Sequence, residues 1–273
     1  MPELPEVETV RRSLLGLVVG RRVDAVRPGA FTAVMGDEGI EAAAARVVGR
    51  TITGVRRRAK YLLLDLDDGS SLMVHLRMTG RLVVAPREAP PLRFEHLRLE
   101  LDAGRDLRFA DQRKFGRVLH LLPADVERLE RRLGPEPLGR GFTGDALATA
   151  LARRTGKLKS VLLDQRLLAG LGNIYVDEAL FRSRLHPERR ANTLSVEEVR
   201  RLHRAIRAVL REGLTHGGTT FSSFQDATGI EGANARNLRV YGRGGEACVR
   251  CGSPLTRAVV GGRGTSFCAR CQR

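Results

Sequence analysis

The sequence predicts an α+β chain of several domains: an N-terminal β domain with one flanking helix, a helical domain, and a small cysteine-rich module at the end. Three observations predict it. Between residues 21 and 122 short apolar runs alternate with turn residues, the texture of antiparallel strands. After Gly134-Pro135-Glu136-Pro137 the apolar residues recur at helical spacing. All four cysteines lie beyond residue 247. A length of 273 residues suits one large or two ordinary domains, and an apolar fraction of 42% is enough for a sizeable core. The expected divisions are 1–132, 133–245 and 246–273.

The first element reads as a helix, because Leu4, Val7, Val10, Leu14 and Leu17 recur at helical spacing with Glu8, Arg11 and Arg12 between them. Pro2 and Pro5 sit at its start, where a missing N–H costs little. Strands are expected at 21–27, 50–57, 61–66, 72–76, 82–85, 97–101, 106–110 and 118–122. Asp67-Asp68-Gly69 and Ala103-Gly104 suit hairpin turns, so these strands make a sandwich or barrel-like domain. Helices are expected at 145–153, 159–164, 174–184 and 197–213. Asn173 is a natural N-cap for the third, and Ser195-Val196-Glu197-Glu198 opens the fourth with a capping-box pattern. Residues 215–245 are glycine-rich and polar, and so long a loop is uncommon unless it is functional or mobile.

Forty-seven Lys and Arg against 31 Asp and Glu leave a net charge of +16, with a pI of about 11.1. That balance calls for a polyanion, nucleic acid or an acidic membrane surface. No apolar run approaches the roughly 20 residues of a membrane span. The opening MPELPEVE is acidic where a secretory signal is basic. The lipid reading weakens, and a cytosolic protein that binds nucleic acid and no membrane is expected. The basic residues are 43 arginines and four lysines, Lys60, Lys114, Lys157 and Lys159, a bias that a GC-rich genome favours. Each surviving lysine offers what guanidinium cannot, an amine able to move a proton or form a Schiff base.

Cys248-x2-Cys251 and Cys268-x2-Cys271 stand 16 residues apart, the spacing of a four-thiolate zinc ribbon. Two disulfides or a redox pair are the alternatives; nothing suggests export, and the context of a thioredoxin-like redox motif is absent. One structural zinc, closed to substrate by its four cysteines, is expected, with no catalytic metal. The residues between the knuckles read as a β-hairpin with Arg263 at or near its tip.

Pro2-Glu3 carries two readings. One is a helix start, with proline in the first turn and Glu3, Glu6 and Glu8 near the positive end of the dipole. The other needs removal of Met1, after which Pro2 offers a secondary amine, partly unprotonated at neutral pH. Such an amine attacks a sugar carbon and forms a Schiff base, and the carboxyl beside it moves the proton.

From end to end the chain resembles the formamidopyrimidine-DNA glycosylases. The motifs that carry the resemblance are MPELPEVETV at the start, RRAKYLLL around Lys60, HLRMTGRL at 75–82 and DQRKFGRV at 111–118. LGPEPL at 133–138, LLAGLGNIYVDEALF at 167–181, HGGTT at 216–220, VYGR at 240–243 and the zinc ribbon continue it. The resemblance implies an N-terminal β-sandwich with a catalytic N-terminal helix, a C-terminal helical domain with a helix–two-turn–helix, and a terminal zinc ribbon. It implies base-excision repair of oxidised purines in double-stranded DNA. Pro2 is then the nucleophile, Glu3 the proton shuttle, Lys60 an aid to β-elimination, and Arg263 a phosphate grip linked to δ-elimination.

The same match puts Glu6 near the flipped base and the stretch 217–237 over it. Met78, Arg113 and Phe115 become the wedge that fills the gap in the duplex, against a bland reading of Met78 and Phe115 as core. Asn173 is matched to DNA phosphate, and Lys159 to the same neighbourhood; for Lys60 a solvated place beside Arg56, Arg57 and Arg58 is the alternative. Phe94 stands where some relatives have histidine, with His96 two residues on. Leu4 and the wedge favour the purine branch over the endonuclease VIII type. A non-catalytic zinc-ribbon DNA-binding protein is the rival of another class. A monomer is expected.

Overall fold

The structure, a computed structural model, describes residues 2–36 and 39–273. It divides into two compact units, one running to Arg131 and including His216–Ala235, the other comprising Arg132–Thr215 and Arg236–Arg273.

In the first unit, helix α1 (Leu4–Val18) buries Leu4, Val7, Val10, Leu14 and Val18, the stripe its spacing dictates. Eight strands follow: β1 (Val23–Pro28), β2 (Ile52–Arg58), β3 (Tyr61–Leu66), β4 (Ser71–His75), β5 (Gly80–Pro86), β6 (Glu95–Leu101), β7 (Arg105–Asp111) and β8 (Arg117–Leu121). They form two antiparallel four-stranded sheets, ordered β1-β6-β7-β5 and β2-β3-β4-β8. Helix α1 packs on β2, β3 and β5, and one apolar core takes side chains from both sheets and the helix. This is the sandwich of the two architectures the strand pattern allowed.

Two helices of this unit have no counterpart among the expected elements: α2 (Ile40–Val47) and α3 (Pro123–Arg131). Of the nine residues of α3 only Val126 is buried, so its sequence carries almost no apolar period. The helix nonetheless covers one face of a sheet. Leu63, Met73 and Val126 make a second small core there, which is why Leu62, Leu63 and Leu64 are all buried and β3 loses its alternation.

In the second unit, α4 (Gly144–Ala152) and α5 (Leu158–Leu162) precede α6 (Asn173–Ser183), which is buried along almost its whole length. α7 (Val196–Thr215) lies against α6 and α4 and buries Val199, Leu202, Ile206, Val209 and Leu210. The Ser195–Glu198 capping box forms with both bonds in place. Strands β9 (Thr256–Val260) and β10 (Arg263–Phe267) make the terminal hairpin. The cysteine module does not stand apart. Phe181 of α6 packs with Cys248, Leu255 and Cys268, and Gln272 donates to the Leu185 carbonyl at 2.9 Å.

Residues 216–235 of the glycine-rich segment, inside the expected division 133–245, belong with the first unit, and the rest of the segment with the second. Phe224 and Ala227 enter the sandwich core, the Ala227 N–H donates to Ser13, and the Val84 N–H donates to the Ala227 carbonyl. Distant apolar contacts of this kind leave no local period in the sequence.

Leu14 is fully buried where α1 meets the sandwich core. Leu14→Ala should destabilise the protein by about 2–5 kcal/mol, read as a lowered urea midpoint with an unchanged slope.

Candidate functional site

Pro2 and Glu3 are buried at the start of α1, with Glu3 as the N-cap residue. The Glu3 N–H donates to Glu6 Oε2 at 2.8 Å. The other Glu6 oxygen accepts the Thr219 N–H at 2.7 Å, tying the loop to the helix start. Gly218 makes this approach possible: its φ is +85°, and a Cβ there would stand 3.0 Å from Glu6 Cγ. Met1, whose removal frees the Pro2 amine, lies outside the described residues.

Lys60 is 8% exposed and sits with Ala59 in the tight turn between β2 and β3, where Arg58 pairs with Tyr61. Arg57 fastens this turn to α1, donating to the Ala59 carbonyl at 2.9 Å and to Glu8 at 3.1 Å. Burial alone would raise the Glu8 carboxyl, but hydrogen bonds from Arg11 and Arg12 and the charges of Arg11 and Arg57 outweigh it and hold it at about 2. Arg56 is likewise engaged within the protein, on Asp65. Lys60 is therefore not the solvated lysine of the alternative reading, although Arg56 beside it stays half-exposed. Near Lys60, His75 accepts the Arg77 N–H on Nδ1 at 3.0 Å. Burial, then the charges of Arg77 and Lys60, push this histidine down to about 3, so it is neutral at physiological pH.

Met78 and the Arg113–Phe115 pair stand on two loops of the same unit. Phe115 is 50% exposed, Met78 is half-buried, and the Arg113 guanidinium lies over the Phe115 ring at 4.8 Å. The core reading of Phe115 does not hold. Phe94 is exposed under Arg93, whereas His96 is buried with Nε2 donating to the Asp111 carbonyl at 2.8 Å.

In the second unit the structure corrects two expectations. Asn173 is not the N-cap of α6; Gly172 is, and the Asn173 side chain turns away to donate to the Gly264 carbonyl at 3.0 Å. Lys159 is fully buried rather than presented to DNA. It pairs with Asp177 of α6 at 2.6 Å and donates to Thr265 Oγ1 and the Gly264 carbonyl at 2.8 and 3.1 Å. Desolvation of two charges is tolerable only because they meet each other and these acceptors. Burial pushes the Asp177 carboxyl up to about 6 although Lys159 pulls the other way.

The Gly264 carbonyl thus takes donors from Lys159 and Asn173, and Asp177 accepts the Ser266 N–H. These bonds hold β10, whose first residue, Arg263, is exposed and follows the Gly261-Gly262 turn of the hairpin. Residues missed in the sequence are those that hold others: Asp111, Asp177 and Glu178, whose carboxylate accepts the N–H groups of Arg239, Val240 and Tyr241. The only signal for them was an acid inside an otherwise apolar or basic motif.

The sulfur atoms of Cys248, Cys251, Cys268 and Cys271 lie within 4.8 Å of one another. Tetrahedral thiolates about 2.3 Å from zinc stand about 3.8 Å apart, so the four residues fit the ion, which the ribbon holds as a structural centre.

This architecture places the chain in one class, the DNA-repair glycosylases that combine a β-sandwich domain, a helical domain and a zinc ribbon. Three family patterns cover it in order: the formamidopyrimidine-DNA glycosylase N-terminal domain at residues 1–118, the H2TH domain of the same enzymes at 133–225, and the zinc finger found in FPG and IleRS at 245–273. The formamidopyrimidine-DNA glycosylase of Herpetosiphon aurantiacus is 48% identical, with 100% of both chains covered. That of Desulfitobacterium hafniense is 47% identical over the same shares. Among solved structures, the Lactococcus lactis Fpg in complex with an abasic site containing DNA is 38% identical, with a TM-score of 0.93 and 99% of each chain covered. The chain belongs to the formamidopyrimidine-DNA glycosylase family. Among the described residues, no helix is long and apolar enough to cross a membrane.

Asp177→Ala strands the buried Lys159 charge and should cost about 3–5 kcal/mol, while the double variant Lys159→Met with Asp177→Leu recovers most of it; melting temperatures of wild type and the two variants decide. For Glu8, a folded value near 2 against the ordinary 4.5 adds stability above pH 4.5 that is lost as pH falls towards 2. The melting-temperature gap between wild type and Glu8→Gln should therefore be full at neutral pH and close across that acid window.

Proposed function

We propose that the chain excises oxidised purines, 8-oxoguanine and formamidopyrimidines, from duplex DNA and then cleaves the abasic site. The observation that carries this reading is the start of α1, where Pro2 adjoins Glu3 and the Glu3 N–H is held by a second buried carboxylate, Glu6. A base inside the stack cannot be reached, so the nucleotide is extruded and the gap filled by Met78, Arg113 and Phe115. The exposed Phe115 ring under Arg113 suits that task. The unprotonated Pro2 nitrogen attacks C1′, the bond to the base breaks, and the base leaves with a proton. Glu3 supplies the proton that opens the sugar ring, giving an iminium between Pro2 and C1′.

The iminium acidifies C2′, and loss of that proton expels the 3′ phosphate; a second elimination expels the 5′ phosphate. Lys60 assists the first step, and Arg263 grips phosphate for the second. Asn173 and its neighbouring amides bind backbone phosphate, the task suited to a helix start. Residues 217–237 cover the extruded base, with the Thr219–Glu6 bond fixing their near end. The protein works as a monomer in the cytoplasm, at the nucleoid.

Similar Lactococcus lactis structures hold DNA with an abasic site, with N7-benzyl-Fapy-dG and, in one case, with an oxidised pyrimidine. Protein shown to lack Met1 is incubated with duplex DNA carrying 8-oxoguanine opposite cytosine, and borohydride is added. A stable adduct mapped to Pro2, lost in Pro2→Gly, is the expected result. An adduct with an oxidised pyrimidine alone would move the chain to the endonuclease VIII type. No adduct with either lesion or with an abasic site would leave a DNA-binding protein without this chemistry.

A further inference from the structure

One buried carboxylate touches both loops on which the wedge stands. Asp111 closes β7 and is 1% exposed. Its Oδ2 accepts the N–H groups of Phe115 at 2.8 Å and Gly116 at 2.7 Å. Its Oδ1 accepts the Arg113 N–H at 3.1 Å and the Thr79 hydroxyl. Thr79 directly follows Met78, and its hydroxyl oxygen also accepts the Arg113 N–H, at 3.2 Å. The backbone of Asp111 is itself engaged, its N–H donating to the Phe94 carbonyl at 3.0 Å and its carbonyl accepting from His96 at 2.8 Å.

Four donors converge on this carboxylate, one hydroxyl and three peptide N–H groups. A carboxylate offers acceptors on both oxygens, whereas an amide must turn hydrogens towards one pair of these donors. Each loop also contains a residue in the left-handed region, Arg77 at φ 54° and Lys114 at φ 59°. Non-glycine residues stay in that region only when their surroundings over-determine it. The Asp111 bonds supply such a constraint around Lys114, and the Thr79 link carries it to the loop of Arg77.

We infer that Asp111 is a positioning residue that, through Thr79, locks the Met78 loop and the Arg113–Phe115 loop into one rigid wedge. The inference rests on the proposed role of Met78, Arg113 and Phe115. Without the lock each loop samples its own orientations, and the three side chains no longer enter the gap as one body. Asp111 itself touches no DNA in this scheme; it acts through the residues it holds.

The test uses the full-length protein as Asp111→Asn, Thr79→Val, Thr79→Ser and, as a reference for the wedge, Arg113→Ala. Three readouts are taken. They are the fluorescence change of 2-aminopurine beside 8-oxoguanine in a duplex, single-turnover excision from that duplex, and borohydride trapping on single-stranded abasic DNA, which has no gap to fill. Misplacement of the wedge should slow duplex excision by about tenfold or more in Asp111→Asn and Thr79→Val and shrink the fluorescence change, with single-strand trapping held within about twofold. Thr79→Ser, which keeps the hydroxyl, should restore both duplex readouts.

If Arg113→Ala slows duplex excision while Thr79→Val and Asp111→Asn behave as wild type, the lock is refuted and the wedge stands. If Arg113→Ala itself changes nothing, the wedge reading fails first and takes the lock with it. An equal loss in single-strand trapping would show general damage and overturn the lock. Should Asp111→Asn not fold, the near-isosteric Thr79→Val decides alone.

Discussion

A peptide N–H removed from water must find an acceptor, and irregular segments have no ladder to provide one. This constraint governs the molecule more than any single contact. The protein meets it repeatedly with buried carboxylates: Glu6 takes the Thr219 N–H, Asp111 those of Arg113, Phe115 and Gly116, and Glu178 those of residues 239–241. A carboxylate accepts several such bonds at once, and charge-assisted bonds are stronger than neutral ones. In a chain of net charge +16, the buried acids among the described residues are Glu3, Glu6, Asp106, Asp111, Asp177 and Glu178, and Glu6, Asp111 and Glu178 anchor loops.

The converse device also appears. Arg108, fully buried, donates to the carbonyls of Pro86, Arg87, Ala89 and Pro90 while paired with Asp106 at 3.0 Å. One guanidinium organises the turn after β5 as one carboxylate organises the turn after β7. Lys159 and Asp177 do the same for the hairpin of the zinc ribbon, where the tip glycine Gly261 comes so close to Ser160 that a Cβ would stand 2.3 Å from its hydroxyl. Of the side chains proposed to meet DNA, Phe115, Arg113 and Arg263 are exposed and Met78 is half-buried, whereas Asp111 and Asp177 behind them are buried.

Much of the fold was legible. All eight strands of the sandwich were readable because their apolar runs are bounded by Gly, Asp and Pro, and the helices of the second unit because α7 repeats its apolar residues at every turn. The cysteine spacing alone marked the zinc ribbon. What escaped was decided at a distance. α3 has one buried residue, and the loop of residues 216–235 gains its order from α1 and β5. Asn173 had the composition of an N-cap, but the Gly264 carbonyl 91 residues away outbid the helix for its side chain. Lys159 looked like a cation for DNA until Asp177 met it inside the protein.

By itself the sequence determined α1, the eight strands of the sandwich, the helices of the second unit, the ligand set of the ribbon and the resemblance that names Pro2, Glu3, Lys60 and Arg263, because these depend on local period, spacing and residue type. Only the tertiary structure decided which charges are buried and what they hold. Burial is a property of packed neighbours, and a carboxylate such as Asp111 reads in sequence like any surface acid until four donors surround it.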